Sequence, residues 1–268
     1  MNIVPDIKNQ EYLKKAYLEE GKSTYKIAEE CGVNKSTAYY YLKKSGLIGI
    51  KSEDIRVKVD EKLFRIDNPI FCYYAGLVSA DGYLDTKYHR VVLRMKNEDW
   101  NEMFQRLRNY FKLSSEVKVY RTVGYSGEID MCDLTISSQK LLDTLKELNI
   151  THNKKDLKRR FPDMNKLSDE CQEMYIRGLM DGDGTLYSRG ELRILEESEE
   201  MVGAIIEFLK HKFSIECKMY NQKTNTGKDC KYISIKGKKC IEVLNWLYRN
   251  ELDYKLQYKY VTYMNIEQ

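Results

Sequence analysis

The chain has 268 residues, of which 42% are hydrophobic and 32% are charged. This length allows one large domain or two to three smaller ones, with enough apolar side chains for a buried core. No apolar run approaches the ~18 residues that a membrane span requires, so an integral membrane protein is excluded. Seven cysteines without a C-x-x-C pair argue against a disulfide framework and against a zinc knuckle. The first residues do not resemble a secretion signal, and we expect an intracellular protein, in the cytoplasm or nucleoid or in an organelle.

The net charge is only +4, but basic residues are concentrated in three segments. Residues 210–239 contain nine lysines and two acids, and residues 151–166 contain six basic residues and two acids. Residues 31–51 contain four lysines and no acid. A solvated surface is the simplest explanation of any one segment, whereas three such segments in one chain favour a polyanion-binding protein.

Three short helices separated by glycines are predicted within residues 1–50. The first is Glu11–Glu20, the second starts near Ser23 and stops at Gly32, and the third follows Asn34. Through the segment IAEECGVNKSTAYYYLKKSG, this region resembles the helix-turn-helix family, in which the last helix reads DNA. The residues expected to contact DNA here are Lys35, Ser36, Thr37, Tyr40 and Lys44. Ordinary packing of short helices is the alternative interpretation.

After a polar linker at 51–67, the pattern indicates two copies of one αββαββα unit. In the first unit, helices are predicted at 68–82, 98–111 and 138–148, with strands at 83–85, 90–96 and on both sides of 124–127. The second unit starts near Ser168, with helices at 169–183, 198–213 and 238–248 and strands at 185–189, 191–197, 215–223 and 230–237. A tyrosine-rich tail, 252–264, closes the chain. The predicted domains are therefore 1–50, the linker 51–67, the first repeat 68–150, and the second repeat with its tail, 151–268.

Each unit opens with a helix that carries the same pattern, YAGLVSADG at 74–82 and IRGLMDGDG at 176–184. Matched positions are 102 residues apart in every case. The matched pairs are Gly76 with Gly178, Leu77 with Leu179, Asp81 with Asp183, and Gly82 with Gly184. Within each helix two small residues stand four apart, Gly76 with Ala80 and Gly178 with Gly182, and such faces permit close helix packing. We expect the closing glycines to adopt the left-handed conformation that ends many helices.

An aspartate at a helix C-terminus is poorly placed, because the partial charge of the helix end is negative there. Two such aspartates brought together also repel each other. Hard divalent cations, which bind carboxylates, backbone carbonyls and water, would supply the missing positive charge. The alternative is that Asp-Gly simply ends each helix, but two copies at matched positions favour a shared role.

The motifs AGLVSADG and RGLMDGDG resemble the signature of the LAGLIDADG homing endonucleases, single-chain two-repeat type, and the repeat pattern extends the resemblance over 68–268. The resemblance implies an α+β fold in which two pseudo-symmetric repeats form a saddle of strands across the DNA major groove. It also implies that Asp81 and Asp183, with the carbonyls of Ala80 and Gly182, hold Mg²⁺. The preceding acid position is Ser79 in one copy and Asp181 in the other, and it is not the metal-binding position.

The resemblance implies further site residues on the strands. Lys236 is similar to the family's active-site lysine, with Ser137 as its counterpart. Arg94 occupies a position where the family often has a solvent-organising side chain, and its counterpart falls near Leu195 or Glu196. The basic residues expected to line the saddle are Arg90, Lys96, Lys118, Arg121, Arg193, Lys218, Lys223 and Lys231.

The sequence thus favours a monomeric, Mg²⁺-dependent, site-specific endonuclease that cuts both strands of double-stranded DNA. Two alternatives stay open: a DNA-binding transcription regulator that does not cleave, and a maturase that binds intron RNA. The target sequence, the host and the genetic context cannot be read from the residues.

Overall fold

A computed structural model describes residues 4–48, 59–124, 127–151, 160–196, 198–223, 227, 229–249 and 252–266. The chain divides into two compact units, Met1–Lys58 and Val59–Gln268. Residues 51–58 of the expected linker lie outside the described residues. The rest of it belongs to the larger unit, because Glu61–Leu63 forms a 3-10 helix and Phe64 is fully buried in that unit's core.

The described residues of the small unit, 4–48, form three helices. Helix α1, Gln10–Lys14, continues as a π-helical turn at Lys15–Glu19; α2 is Thr24–Glu30 and α3 is Lys35–Lys44. Ser23 caps α2 and Asn34 caps α3 through their side-chain oxygens. Gly32 lies between these helices with φ +63°, a conformation that glycine adopts without strain. Ile27, Ala28, Ala38 and Leu42 form the unit's core with the inner face of α1.

The larger unit contains the predicted duplication, and each half has the order αββαββα. The first half consists of α4 (Pro69–Asp81), β1 (Gly82–Asp85), β2 (Arg90–Lys96), α5 (Asn97–Tyr110), β3 (Lys118–Gly124), β4 (Gly127–Ser137) and α6 (Gln139–Glu147). The second half consists of α7 (Asp169–Asp183), β5 (Gly184–Tyr187), β6 (Glu191–Glu196), α8 (Glu199–Phe213), β7 (Met219–Lys223), β8 (Asp229–Lys236) and α9 (Lys238–Leu247). The tail adds α10, Gln257–Ile266, a helix that the sequence pattern did not predict.

Each half forms a four-stranded antiparallel sheet, with strand orders β1-β2-β4-β3 and β5-β6-β8-β7. Side chains alternate between the two faces of each strand. On β2, Val91, Leu93 and Met95 are buried against the helices, whereas Arg90 and Arg94 lie on the opposite face. We call this opposite face of each sheet the open face.

The helices α4 and α7 form the centre of the larger unit. All ten residues from Phe71 to Ala80 are buried, so α4 is surrounded on every side and its apolar sequence is not amphipathic. Asn68 caps α4, with Pro69 in its first turn, where the missing N–H costs nothing. None of the described helices has both the length and the apolar character needed to cross a membrane.

Candidate functional site

The two motif helices cross at a pair of glycines. A Cβ built on Gly76 would lie 2.1 Å from the carbonyl oxygen of Tyr175, and a Cβ built on Gly178 would lie 2.1 Å from the carbonyl oxygen of Tyr73. The two contacts are related by the 102-residue offset, since Tyr175 matches Tyr73. The backbones of α4 and α7 are therefore in direct contact, and no side chain fits between them at this point. The predicted small-residue faces are the ones that meet.

The acid-bearing ends of α4 and α7 converge. A Cβ on Gly182 would lie 2.2 Å from the Ala80 Cβ and 3.8 Å from Oδ2 of Asp81, so the last turn of one helix touches that of the other. Asp81 and Asp183 are both half-buried at this junction. Each is followed directly by the first strand of its own sheet. The junction thus brings the two acid-bearing helix ends together between the two sheets. Both aspartates stay partly accessible, although Oδ2 of Asp183 is buried.

The glycines after these acids do not have the expected left-handed conformation. Gly82 has φ −72° and Gly184 has φ −83°, both extended. Glycine is needed here because the backbone passes close to the preceding helical turn. An added Cβ would lie 2.5 Å from the carbonyl oxygen of Val78 at Gly82, and 2.5 Å from that of Met180 at Gly184. These positions therefore allow the chain to leave the helix and enter the strand without a clash.

The donor set at this junction suits a hard divalent cation. Mg²⁺ is commonly bound by one or two carboxylates, with water and substrate phosphate oxygens completing its octahedron. Asp81 and Asp183 supply two carboxylates, and within the described parts of the chain no cluster of three or more His, Cys, Asp or Glu residues forms a closed metal cage. Two carboxylates would leave most positions of such an octahedron to other ligands. Binding by the carbonyls of Ala80 and Gly182 stays a prediction.

The residues two positions before these aspartates, Ser79 and Asp181, join the two motif helices. The hydroxyl of Tyr73 donates to Oδ2 of Asp181 at 2.8 Å, and the hydroxyls of Tyr175 and Ser79 are hydrogen-bonded at 2.8 Å. The two bonds are pseudo-symmetric, and each joins α4 to α7 within the buried interface. Burial raises the pKa of Asp181. Serine can therefore replace the acid in the first repeat, because both side chains serve as partners for the opposite tyrosine.

The sheet register settles which residues are counterparts. Leu93 is paired with Gly82 and Ile194 with Gly184, so Arg94 corresponds to Leu195 and not to Glu196. Ser137 is paired with Arg90 and Lys236 with Glu191, which makes Ser137 the counterpart of Lys236, as expected. The two open faces therefore carry different side chains at matched positions.

On the open face of the first sheet, a buried carboxylate holds the guanidinium of Arg94. Nε and one terminal nitrogen of Arg94 donate to the two oxygens of Asp133 at 3.0 and 2.9 Å. Asp133 is only 7% exposed, and it also accepts a hydrogen bond from the Tyr120 hydroxyl at 3.0 Å. Lys118, paired with Asp133 in the register, lies on the same face. The fork of Arg94 is thus fixed by its neighbours before any ligand arrives.

On the open face of the second sheet, the buried carboxylate of Glu191 holds a guanidinium group, as Asp133 does on the first sheet, but from a different strand position. It is 1% exposed, and its Oε1 accepts hydrogen bonds from Nε of Arg193 at 2.7 Å and from Oγ of Ser234 at 2.8 Å. Arg189 binds the other oxygen, and Nζ of Lys236 lies 3.6 Å from Oε1. A cavity of about 310 Å³ adjoins this cluster. Its lining includes Arg193, Tyr220, Tyr232, Lys236 and Lys239.

The hydrogen bonds at Glu191 have a measurable consequence. Burial alone would raise the pKa of Glu191, but the donors Arg193, Ser234 and Arg189 outweigh it and lower the pKa to about 2. Because this folded-state pKa lies below the ordinary 4.5, the carboxylate stabilises the fold fully above about pH 4.5 and loses this effect as the pH falls towards 2.

We therefore expect Glu191→Gln to melt below the wild type at pH 7, with a gap that is constant above about pH 5 and shrinks below it. Thermal unfolding from pH 7 to pH 3 measures this gap. Glu147→Gln, at an exposed position of α6, is the matched control. A gap that stays constant down to pH 3 would contradict the hydrogen-bonded carboxylate.

The other basic residues expected to contact DNA are distributed over both faces. Arg90, Lys96 and Arg193 lie on the open faces. Lys231 lies on the helix-covered face, with its Nζ 2.9 Å from a carboxylate oxygen of Glu199 in α8. Arg121 is opposite Asp130 in the pairing of β3 with β4, and its Nε lies 2.9 Å from Oδ1 of that residue. Lys223 pairs with Asp229, and Lys218 is exposed just before β7. These basic residues were grouped in the sequence by charge. The alternation of side chains along each strand places some of them on the open face and others, such as Lys231, on the helix-covered face.

In the small unit, the residues expected to contact DNA lie on the outer side of α3. Lys35, Ser36, Tyr40 and Lys44 are exposed. Thr37 is half-buried, and both its N–H and its hydroxyl donate to Oδ1 of Asn34 at 2.8 Å, so it takes part in the helix cap. Its contact with DNA stays a prediction.

Neither a protein-family model nor a curated protein matches this chain. Among solved structures, the homing endonuclease I-WcaI bound to its DNA recognition sequence aligns with a TM-score of 0.55 and 14% identity, covering 81% of this chain and 94% of that one. The larger unit has the LAGLIDADG fold. I-DmoI in complex with DNA and Ca aligns with a TM-score of 0.46 and 16% identity, over 69% of this chain and 91% of that one. Full-length DUF199/WhiA from Thermatoga maritima aligns with a TM-score of 0.44 and 16% identity. That alignment covers 78% of this chain and 66% of that one.

Three side chains of the candidate site were not predicted from the sequence. Asp133 and Glu191 hold the basic groups of the open faces, and Lys259 of α10 lies against the end of α7. A carboxylate paired across two strands has no signature until the register is known. Lys259 comes from a tail whose sequence contains no motif. Only the register and the tail's docking reveal these residues.

Proposed function

We propose that this chain is a site-specific DNA endonuclease that hydrolyses phosphodiester bonds in both strands of a long double-stranded target. The observation that carries the proposal is the junction of Asp81 and Asp183 between two sheets whose open faces present arginines and lysines. DNA as the ligand of these faces is supported by I-WcaI, a homing endonuclease of similar fold that was solved bound to its DNA recognition sequence. The target would therefore bridge both sheets, with its phosphates at the acid pair.

In this proposal Asp81 and Asp183 bind Mg²⁺. The bound metal would activate a water molecule as nucleophile and stabilise the leaving oxygen. Lys236 ends β8 on the open face of the second sheet, its side chain is 67% exposed, and in this proposal it contacts a phosphate. Arg94 has the same role on the first sheet, although Asp133 fixes its direction.

Binding would depend strongly on salt. Each phosphate neutralised by a lysine or arginine releases counterions from the DNA, so affinity falls steeply as the salt concentration rises. The small unit would add a second contact through the outer side of α3, and linkage of the two units would strengthen binding without a larger saddle. Its helix-turn-helix role belongs to this proposal.

A second candidate function, DNA binding without cleavage, is favoured by one observation. Arg94 is paired with the buried Asp133, and Lys236 lies close to the buried Glu191, so both candidate active-site cations already have carboxylate partners. If these pairs persist on DNA, the basic groups position the protein and do not assist hydrolysis. A chain of this kind would act as a regulator.

The deciding experiment is a selection from a random duplex DNA library, run once with Mg²⁺ and once with EDTA. The endonuclease is expected to enrich one long sequence in the bound fraction under both conditions and to cut it only with Mg²⁺. Bound sequences that are never cut would support the regulator. No enrichment at all would overturn both functions.

The contacts of Arg193 support a finer proposal, that this side chain reads a base. The guanidinium of Arg193 lies between the rings of Tyr187 and Tyr232, 5.1 and 5.2 Å from their centroids, and its Nε is held by Glu191. Among the described residues, its two terminal nitrogens have no hydrogen-bond acceptor. A fixed arginine with a free terminal fork matches the O6 and N7 acceptors of guanine in the major groove.

We therefore expect Arg193→Lys to lose one guanine preference from the selected site, by ~1–3 kcal/mol, because lysine keeps the charge but not the fork. The measurement is the selected-sequence profile of wild type and variant, together with the salt dependence of binding. Lys218→Gln, which removes an exposed charge, should weaken all sequences alike. An unchanged profile for Arg193→Lys would show that Arg193 does not read a base.

A further inference from the structure

Lys259 of the tail helix α10 is almost completely buried. It is 4% exposed, and its Nζ donates at 2.7 Å to each of three carbonyl oxygens, those of Met180, Asp181 and Gly184. An ammonium group has three donors, so these bonds use all of them. Buried lysines are rare unless they are paired in this way.

The three carbonyls belong to the end of α7 that carries Asp183. The last carbonyls of a helix have no partner within the helix and carry partial negative charge. Burial lowers the pKa of Lys259, and the neighbouring carboxylates of Asp181, Asp183 and Asp81 act in the opposite direction. The ammonium therefore lies close to the acid junction and inside its electric field.

Two departures of the second motif from the first hold the tail in this place. Arg177 donates to the carbonyl oxygen of Leu252 at 3.2 Å, and Asp181 accepts a hydrogen bond from the backbone N–H of Leu256 at 2.9 Å. At the matched positions α4 has an alanine and a serine. The polar residues that distinguish the second motif thus bind the segment that delivers Lys259 to the end of α7.

We propose that Lys259 is a positioning residue of the endonuclease site, which fixes the acid-bearing end of α7 and places its ammonium group beside the two carboxylates. The inference rests on the proposed function. Two converging carboxylates repel each other, and the ammonium offsets part of this repulsion when no metal is bound. The same charge competes with an incoming divalent cation, so the site binds metal less tightly than two aspartates alone would.

The test is Mn²⁺ binding, measured by electron paramagnetic resonance on the full chain, alone and with a mixed-sequence DNA duplex. We expect Lys259→Gln to bind Mn²⁺ about 3- to 10-fold more tightly, because one positive charge near the carboxylates is gone. We expect Lys259→Arg, which keeps the charge, to bind Mn²⁺ as the wild type does. In cleavage assays Lys259→Gln should lower kcat while leaving KM nearly unchanged, because the end of α7 is no longer fixed.

Lys255→Gln is the matched control, because Lys255 belongs to the same tail but its ammonium faces Asp253 and the ring of Tyr260. If Lys259→Gln does not fold, Lys259→Met replaces it, since its unbranched side chain fills similar space. Folded charge-removing variants that bind Mn²⁺ no more tightly than the wild type would overturn the inference alone. A wild type that binds no Mn²⁺ with or without DNA would overturn the proposed metal site and the inference together.

Discussion

Replacing Asp183 with asparagine is expected to lower the cleavage rate by more than ~100-fold while DNA binding is retained. Asparagine has nearly the same shape as aspartate but lacks the negative charge that holds a divalent cation. Since the change also removes a negative charge near the phosphates, affinity for DNA should be equal to or slightly higher than that of the wild type. Asp81→Asn should behave in the same way, because the two acids meet at one junction.

The measurement is single-turnover cleavage of a selected site with Mg²⁺, together with binding to the same site in EDTA. Asp143→Asn, at an exposed position of α6, is the matched control and should cut normally. Cleavage by Asp183→Asn at the wild-type rate would exclude the junction as the catalytic centre. A variant that still cuts one strand at full rate would show that the two acids work separately.

Replacing Gly178 with alanine is expected to cost ~3 kcal/mol or more of unfolding free energy. The added Cβ would lie 2.1 Å from the carbonyl oxygen of Tyr73 and 3.0 Å from the backbone nitrogen of Leu77, so the helices α4 and α7 must separate. For a unit of this size the melting temperature should fall by ~6–12 °C. Gly76→Ala should do the same, because its Cβ would meet the carbonyl oxygen of Tyr175 at the same distance.

Gly203→Ala is the matched control for this steric effect. Gly203 lies inside α8, and a Cβ there would meet no atom within 4 Å. Alanine at such a helical position should raise stability by ~0.5–1 kcal/mol, because glycine loses more backbone entropy on folding. Thermal or urea unfolding of the three variants gives the comparison. Equal stability of Gly178→Ala and the wild type would contradict the backbone contact between the two helices.

The predicted elements agree with the structure where a local signal was strong. The predicted bounds of α4, α7 and most strands lie within a few residues of the observed ones. These predictions came from the motif glycines, the matched aspartates and the alternation of side chains along the strands. The prediction that Gly82 and Gly184 have a left-handed conformation was wrong. Glycine is needed at these positions because a Cβ would clash with a nearby carbonyl oxygen, and φ is negative at both. A glycine in a sequence shows that space or conformation is restricted, and it does not show which of the two applies.

The candidate site was only partly predictable. Asp81 and Asp183 were found because one motif occurs twice at a constant offset. The roles of Arg94 and Lys236 were predicted by resemblance and stay predictions. Their buried partners Asp133 and Glu191 were not predicted, since cross-strand pairs depend on register. Segment 252–266 has no strong apolar periodicity, and its helix forms where the second repeat offers Arg177 and Asp181 as partners.

The sequence by itself determined the duplication, the two acidic helix ends and the basic strands, because each is written in local spacing and composition. Tertiary structure alone decided that the acid-bearing helix ends meet, which arginines are held by carboxylates, and that a tail lysine reaches the end of α7. These properties join residues that are far apart in the chain. Such residues meet only when the helices pack and the strands pair, and no short-range pattern records that meeting.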